Sequence, residues 1–347
     1  MSALPAISVV LPVYCQNSMG LSYLSDSIAS ILNQSFSDFE LIIIDDNSPA
    51  LGCSEILKSY QASDARVQVM TSAERRGSGM SRNKAFQHVR GQYIALMDSD
   101  DISDLRRLED QHHFLEGNSQ VVACSVLHNQ INQASLPIYS DSSVPAGMPA
   151  GVELLAVPSL MFNADLIRKI GPYRPFFRLA EDIDWIYRLK RQGAGICLPC
   201  KRYFYRAHRH NTSSPKMHLY VLAAEISDLC VQAGLPDPID DISDTVYERR
   251  YTAEDNEADL WQVLSYFPRY FPDRINRLTK LAMRSIVDFC KRSQVDQAES
   301  FFEQLEKLVS SIASSRFSVL ERIRWRHRVW RIKRLLRTAR LQYEDLE

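Results

Sequence analysis

No window of about 18 apolar residues occurs in this chain, so no segment reads as a membrane-spanning helix. No basic stretch followed by a long apolar run stands near residue 1, and the sequence predicts no signal peptide. Cysteines number seven and are scattered, which fits free thiols in a reducing compartment better than a disulfide framework. Cys197-Leu198-Pro199-Cys200 has CxxC spacing, but no second pair accompanies it and no redox signature lies nearby. Acid is scarce over residues 316–340: ten Lys and Arg stand there against one acid, Glu321, before Glu344, Asp345 and Glu347 close the chain. The formal net charge of -1 therefore hides a mildly acidic body and a strongly basic tail. No other basic patch or recognition motif is present, which argues against nucleic acid as a partner.

What is present is ordinary for a globular protein: 45% apolar and 24% charged residues over 347 positions, enough for one large domain and a smaller one. Through the first 130 residues strand and helix signals alternate. Ile7-Ser8-Val9-Val10-Leu11-Pro12 reads as a buried strand, and Phe39-Glu40-Leu41-Ile42-Ile43-Ile44 as a second. Further strands are predicted near 66–70, 93–97 and 120–126. Helices are predicted over 26–34 with Asp26 as cap, over 78–90 after Gly77 and over 103–116. Such alternation implies βαβ units and a mostly parallel twisted sheet. Residues 135–158 hold four prolines and two glycines and read as a surface loop. The pattern then predicts a short helix from 161 to 174, a helix over 183–192 opened by Glu181-Asp182, and a strand through 197–205. Beyond about 215 only helical patterns remain, with an acidic linker over 234–257. One apolar stripe is made by Ile275, Leu278, Ala282, Ile286 and Phe289, another by Ala298, Phe301, Leu305 and Leu308. The predicted domains are 1–215, 216–315 and a basic amphipathic helix within 316–347.

Three acidic clusters fall at strand ends or helix starts: Asp45-Asp46, Asp98-Ser99-Asp100-Asp101 and Glu181-Asp182. Clustered carboxylates repel one another unless something neutralises them, and a divalent cation with oxygen ligands is the usual solution. The strand Tyr93-Ile94-Ala95-Leu96-Met97 ends in the second cluster, where open α/β sheets place ligands. Taken singly, each cluster also reads as a capped or solvated turn.

Their order and setting resemble the family 2 glycosyltransferases of the GT-A fold. The resemblance rests on Val9-Val10-Leu11-Pro12-Val13-Tyr14, Asn33-Gln34-Ser35-Phe36, residues 40–48 and 79–85, Gly91-Gln92-Tyr93-Ile94, the Asp98 cluster, Gly171, Glu181-Asp182-Ile183-Asp184 and Tyr205-Arg206-Ala207-His208. It spans roughly residues 5–215. The resemblance implies a Rossmann-like, mostly parallel α/β sheet flanked by helices, followed here by a helical C-terminal region. It implies that Pro12, Val13, Tyr14 and Asp46 receive the nucleotide base, with Arg82, Asp98 and Ser99 toward the rest of the donor. Asp98 and Asp100 match the Asp-X-Asp motif and would ligate Mn²⁺ or Mg²⁺; His208 matches a histidine that completes this site in some relatives, and His210 is its rival. Asp182 matches the catalytic base, with Glu181 supporting it or holding the acceptor.

The implied activity is inverting, metal-dependent transfer of one sugar from a nucleotide-sugar donor, a UDP-sugar, to a saccharide or lipid-linked acceptor. Lipopolysaccharide, exopolysaccharide or capsule synthesis is the expected setting. Transfer to polyprenyl phosphate or protein, or a catalytically silent binding module, are the alternatives. The Gln-x-x-Arg-Trp motif of processive synthases is missing after Asp182, which favours single transfer over polymerisation. In the tail, Trp325, Val329, Ile332 and Leu336 form a stripe among arginines. Such a helix reads as a contact with the inner membrane surface through 316–341, with Trp325 and Trp330 at the headgroups, or as a docked helix with solvated arginines. The expected location is cytoplasmic, with peripheral contact at the inner face of the cytoplasmic membrane.

Overall fold

The computed structural model describes residues 4–138, 157–208, 217–240, 260–265, 286–287, 295–316 and 319–344. Two compact units divide the chain, residues 1–211 and 212–347. In the first, strands β1 (Ile7–Val13) and β2 (Phe39–Asp45) are buried at all their positions. Their near-continuous apolar runs suit strands covered on both faces. Helix α1 (Ser18–Leu32) connects them, α2 (Cys53–Ser63) leads to β3 (Val67–Thr71), and α3 (Ser78–Phe86) leads to β4 (Tyr93–Leu96). β3, β2, β1 and β4 lie side by side in that order, all parallel.

In the other half of the sheet the strands no longer all run the same way. After β5 (Ile102–Ser103) and α4 (Arg107–Gly117) come β6 (Val121–Ile131), the short β7 (Pro137–Ile138), β8 (Met161–Asn163), α5 (Asp165–Ile170), α6 (Glu181–Lys190) and β9 (Ala194–Arg206). The sheet continues from β4 through β8, β6 and β9 to β5, with β7 beside β6. β8 is antiparallel to both β4 and β6, while β6 and β9 are parallel. The structure thus bears out the expected α/β class.

Several local expectations shift. α1 begins at Ser18, where the Asn17 side chain accepts from the Gly20 N–H at 3.1 Å. Asp26, expected as the cap, sits inside this helix and pairs with Arg206 at 3.1 Å. α3 stops at Phe86 instead of running to 90. The chain must then turn so that Arg90 meets buried Glu40 at 2.7 Å and Gly91 passes against β1. A Cβ at Gly91 would lie 2.6 Å from the Ser8 nitrogen, so only glycine fits there. α4 begins at Arg107 instead of 103: Ser103 belongs to β5, paired with β9, and residues 104–106 lead into the helix. Residues 161–163, expected as helix, form β8, because Met161 and Phe162 fill the fully buried slot between β4 and β6. So short an apolar run carries no readable period.

The CxxC segment has a structural explanation: the β6–β9 register moves from Val126–Leu198 to Leu127–Lys201, skipping Pro199 and Cys200. Proline has no N–H for the ladder and is placed at a bulge. Gln34 of the Asn-Gln-Ser-Phe motif is also structural. Its amide donates to the Asp104 carbonyl at 2.6 Å and accepts from the Leu108 N–H at 3.0 Å, tying the end of α1 to the start of α4.

Within the second unit, α7 (Met217–Gln232), α8 (Val295–Arg316) and α9 (Val319–Glu344) are the long helices among the described residues. α8 buries Ala298, Phe301 and Leu305 of its predicted stripe. Of the first predicted stripe, Ile286 is buried, while Ile275, Leu278, Ala282 and Phe289 lie outside the described residues, as does most of the linker over 234–257. α9 packs on α8 and buries Trp325, Ile332 and Leu336; Lys333 reaches Glu306 at 3.2 Å. The apolar stripe of the basic helix therefore faces protein. Trp330 remains 56% exposed on the opposite, arginine-bearing surface. No described helix is long and apolar enough to cross a membrane.

Candidate active site

The carboxyl ends of β1, β2 and β4 open on one side of the parallel half-sheet, where α/β folds place ligands. At the end of β2, Asp45 turns the chain by accepting from the Ser48 N–H at 3.0 Å, and Ser48 Oγ accepts from the Cys15 N–H at 2.9 Å. Asp46 is buried and accepts from the N–H groups of Arg76 at 2.9 Å and Gly77 at 2.7 Å. Burial raises its pKa, and those two bonds oppose the rise. Asp46 thus holds the loop that opens α3. Pro12 and Val13 are interior strand residues, so Tyr14 is the one side chain of the expected trio that is not fully buried. The Arg75 guanidinium lies 3.9 Å from the centre of the Tyr14 ring, a contact no motif signalled.

Arg82, early in α3, is the centre of the site. Its side chain is 4% exposed and meets Asp98 Oδ1 at 2.8 Å and Glu181 Oε1 at 3.3 Å. Burial opposes its charge, but Tyr173, Asp98, Glu181 and Asp182 surround it and keep the guanidinium protonated. Asp98 is raised by burial, with Arg82 opposing. Its carbonyl accepts from Ser27 Oγ at 2.9 Å, which fixes the turn after β4 to α1. Asp100, two residues on, stands 3.0 Å from Nε2 of His208 just past β9. Ser99 between them is partly exposed, and His210 lies outside the described residues.

The turn carrying Asp98 and Asp100 is braced from beneath. Asp101 is fully buried and accepts from the Arg206 N–H at 2.7 Å; Arg206 Nε donates to the Asp100 carbonyl at 2.7 Å. Fully buried Arg107 donates to the Leu96 carbonyl at 2.9 Å, and burial pushes its pKa down to about 10. Arg107 came with no motif of its own, because a lone arginine in sequence reads as surface; Asp101 and Arg206 lay within quoted motifs that assigned them no bracing role.

At the start of α6, Glu181 accepts from Ser78 Oγ as well as from Arg82. Asp182 accepts from the Ile183 N–H at 2.8 Å. Burial, then repulsion by Glu181, pushes its pKa up to about 7, which is where a general base at neutral pH should lie. Ala180 before them has φ 56°, a left-handed conformation that costs a non-glycine residue about 1 kcal/mol or more. Arg82, Asp98, Glu181 and Asp182 are thus brought together, with Asp100 and His208 beside Asp98, while Asp46 holds the loop that leads into α3.

No three His, Cys, Asp or Glu side chains form a ready ligand cluster among the described residues. The donor set still fits a hard divalent cation. Asp98 and Asp100 offer carboxylate oxygens and His208 a nitrogen, and Mg²⁺-type ions draw their other ligands from phosphates and water.

Residues 8–157 match the profile of Glycosyl transferase family 2. The O-antigen biosynthesis glycosyltransferase WbnJ of Escherichia coli is 31% identical over 232 residues, which cover 64% of this chain and 87% of WbnJ. An uncharacterized glycosyltransferase of Methanocaldococcus jannaschii is 41% identical over 117 residues, or 34% of this chain; the match spans only 39% of that protein's length. Among solved structures, residues 1–349 of S. aureus TarS in complex with UDP-GlcNAc align at TM-score 0.56 and 17% identity, covering 87% of this chain and 91% of that one. At that identity the likeness is one of fold.

Proposed function

The chain belongs to glycosyltransferase family 2, and on that premise we propose that it transfers one sugar, with inversion, from a UDP-sugar to a saccharide or lipid-linked acceptor in surface-polysaccharide assembly. The observation that carries this reading is Arg82, which joins the donor-side carboxylate Asp98 to the pair Glu181-Asp182. The UDP-GlcNAc bound by TarS and the O-antigen role in the name of WbnJ support the donor and pathway class.

In this reading Tyr14 and the Asp46-anchored loop form the nucleotide slot. Asp98, Asp100 and His208 would hold Mn²⁺ or Mg²⁺, which neutralises charge on the departing diphosphate. Asp182 takes the proton of the acceptor hydroxyl. The hydroxyl oxygen bonds to the anomeric carbon from the face opposite the leaving group, and the carbon–oxygen bond to the nucleoside diphosphate breaks. The configuration inverts.

Membrane contact is also part of the proposal. With the apolar stripe of α9 buried, it would run through the exposed arginines around Trp330. The test is a panel of nucleotide sugars, reading nucleotide release with and without Mn²⁺. Metal-dependent UDP release from one UDP-sugar, lost in Asp182→Asn, is the expected result. Turnover retained in Asp182→Asn would overturn the base assignment.

A further inference from the structure

The contacts around Glu181 go beyond its assignment as support for Asp182 or ligand of the acceptor. Glu181 is spent inward. Its side chain is 14% exposed, accepts from Ser78 Oγ and pairs with Arg82, both on α3. The first turn of α3 is shaped to receive it: a Cβ at Gly79 would lie 3.1 Å from Glu181 Cγ and 3.4 Å from Glu181 Cβ. The same helix grips the segment before α6 a second time. Asn83 donates to the Tyr173 carbonyl at 2.8 Å and accepts from the Tyr173 N–H at 2.8 Å. Between these two ties the backbone is strained at Ala180, and strain of this sort persists only where its surroundings hold it.

We propose that Glu181 is a latch, a positioning residue that binds the N-terminus of α6 to α3 and so fixes Asp182 at its distance from the donor side of the crevice; it does not bind the acceptor. The inference rests on the reading of Asp182 as base. Arg82 belongs to the same latch, since one guanidinium spans Asp98 and Glu181. Whatever the donor does to the Asp98 turn is therefore felt one residue from the base.

Charges facing Asp182 come from Glu181 on its own helix, Arg82 on α3, Asp98 after β4 and the Tyr173 hydroxyl before α6. Removing the Glu181 charge removes one of the two influences that raise Asp182 most, and its midpoint falls. Removing the Ser78 hydroxyl keeps that charge and loosens the latch alone.

The experiment compares Ser78→Ala, Ser78→Thr, Gly79→Ala and Glu181→Gln with wild type and Asp182→Asn, after each has been checked for folding by thermal melting. Two readouts are taken: Mn²⁺-dependent UDP release from UDP-GlcNAc, UDP-glucose and UDP-galactose with water as acceptor, and titration of the Asp182 carboxyl by ¹³C NMR of aspartate-labelled protein. Ser78→Ala and Gly79→Ala are expected to lower kcat about 10- to 100-fold with donor KM within about twofold, the cost of a small misplacement. Ser78→Thr restores the hydroxyl and most of the rate. Glu181→Gln lowers kcat and moves the Asp182 midpoint down.

If Ser78→Ala and Gly79→Ala keep wild-type kcat, or if the Asp182 midpoint is the same in Glu181→Gln as in wild type, the latch is refuted. The NMR arm decides this whichever donor is turned over. Retained turnover in Asp182→Asn would instead sink the base assignment, leaving a different pattern from failure of the latch.

Discussion

The crevice of the first unit and the exposed face of α9 both depend on arginine, and they use it in opposite ways. In the crevice one guanidinium, nearly sealed from solvent, serves two carboxylates from different elements. On α9, Arg326, Arg331, Arg334 and Arg337 stand exposed around Trp330, with no acid from 325 to 339. A buried charge whose partner is removed costs about 3–5 kcal/mol, because nothing solvates it. An exposed arginine is solvated in any case, so its worth lies in number. The difference teaches that single substitutions should be severe in the crevice and nearly silent on the helix.

The largest expected effect tests the crevice first. Asp182→Asn should lower kcat by about 10²- to 10⁴-fold while donor binding, read by calorimetry with UDP, changes little. Arg82→Ala should come next in severity. It strands Asp98 and Glu181 together, and denaturant unfolding should register a loss of about 3 kcal/mol; stability unchanged would mean the pairing is dispensable. Asp100→Ala should abolish the Mn²⁺ dependence of UDP binding; unaltered metal dependence would move the metal away from this turn.

A milder effect comes from pH alone. Because the Asp182 carboxyl is pushed up to about 7, it is protonated below that pH and cannot accept a proton. The rate should rise with pH through about 7 and level off, about tenfold between pH 6 and pH 8. The smallest effects belong to α9. Any one of its four exposed arginines changed to Gln should weaken binding to phosphatidylglycerol vesicles, read by sedimentation, only about fivefold, since each contributes about 1 kcal/mol. All four changed together should abolish it. A single change that abolishes binding would erase the contrast between the two regions.

The two halves of the sheet were not equally legible. β1, β2 and β4 are continuous buried runs that end at Val13, at Asp45 and just before the Asp98 cluster, so pattern and chemistry coincide. β8 is three residues long and was expected as helix, and β5 lay hidden in the start of a predicted helix. Strands that short are defined by the partners that bury them. Within the site, the acidic clusters stood out because like charges side by side demand an explanation. Arg75, Ser78, Asn83 and Arg206 had no role assigned, even where a quoted motif contained them, since each is an ordinary polar residue until folding sets it against a distant partner.

By itself the sequence determined the class of fold, the residue types available for chemistry and the end of the sheet where they gather. Those follow from local periodicity and from the charges at strand ends, which are properties of neighbouring residues. Only the tertiary structure decided that Arg82 joins Asp98 to Glu181, that Asp46 holds the loop before α3, and that the apolar stripe of α9 is covered by α8. Each of these joins positions far apart in the chain, and which of many possible partners is met depends on how the whole sheet and its helices pack.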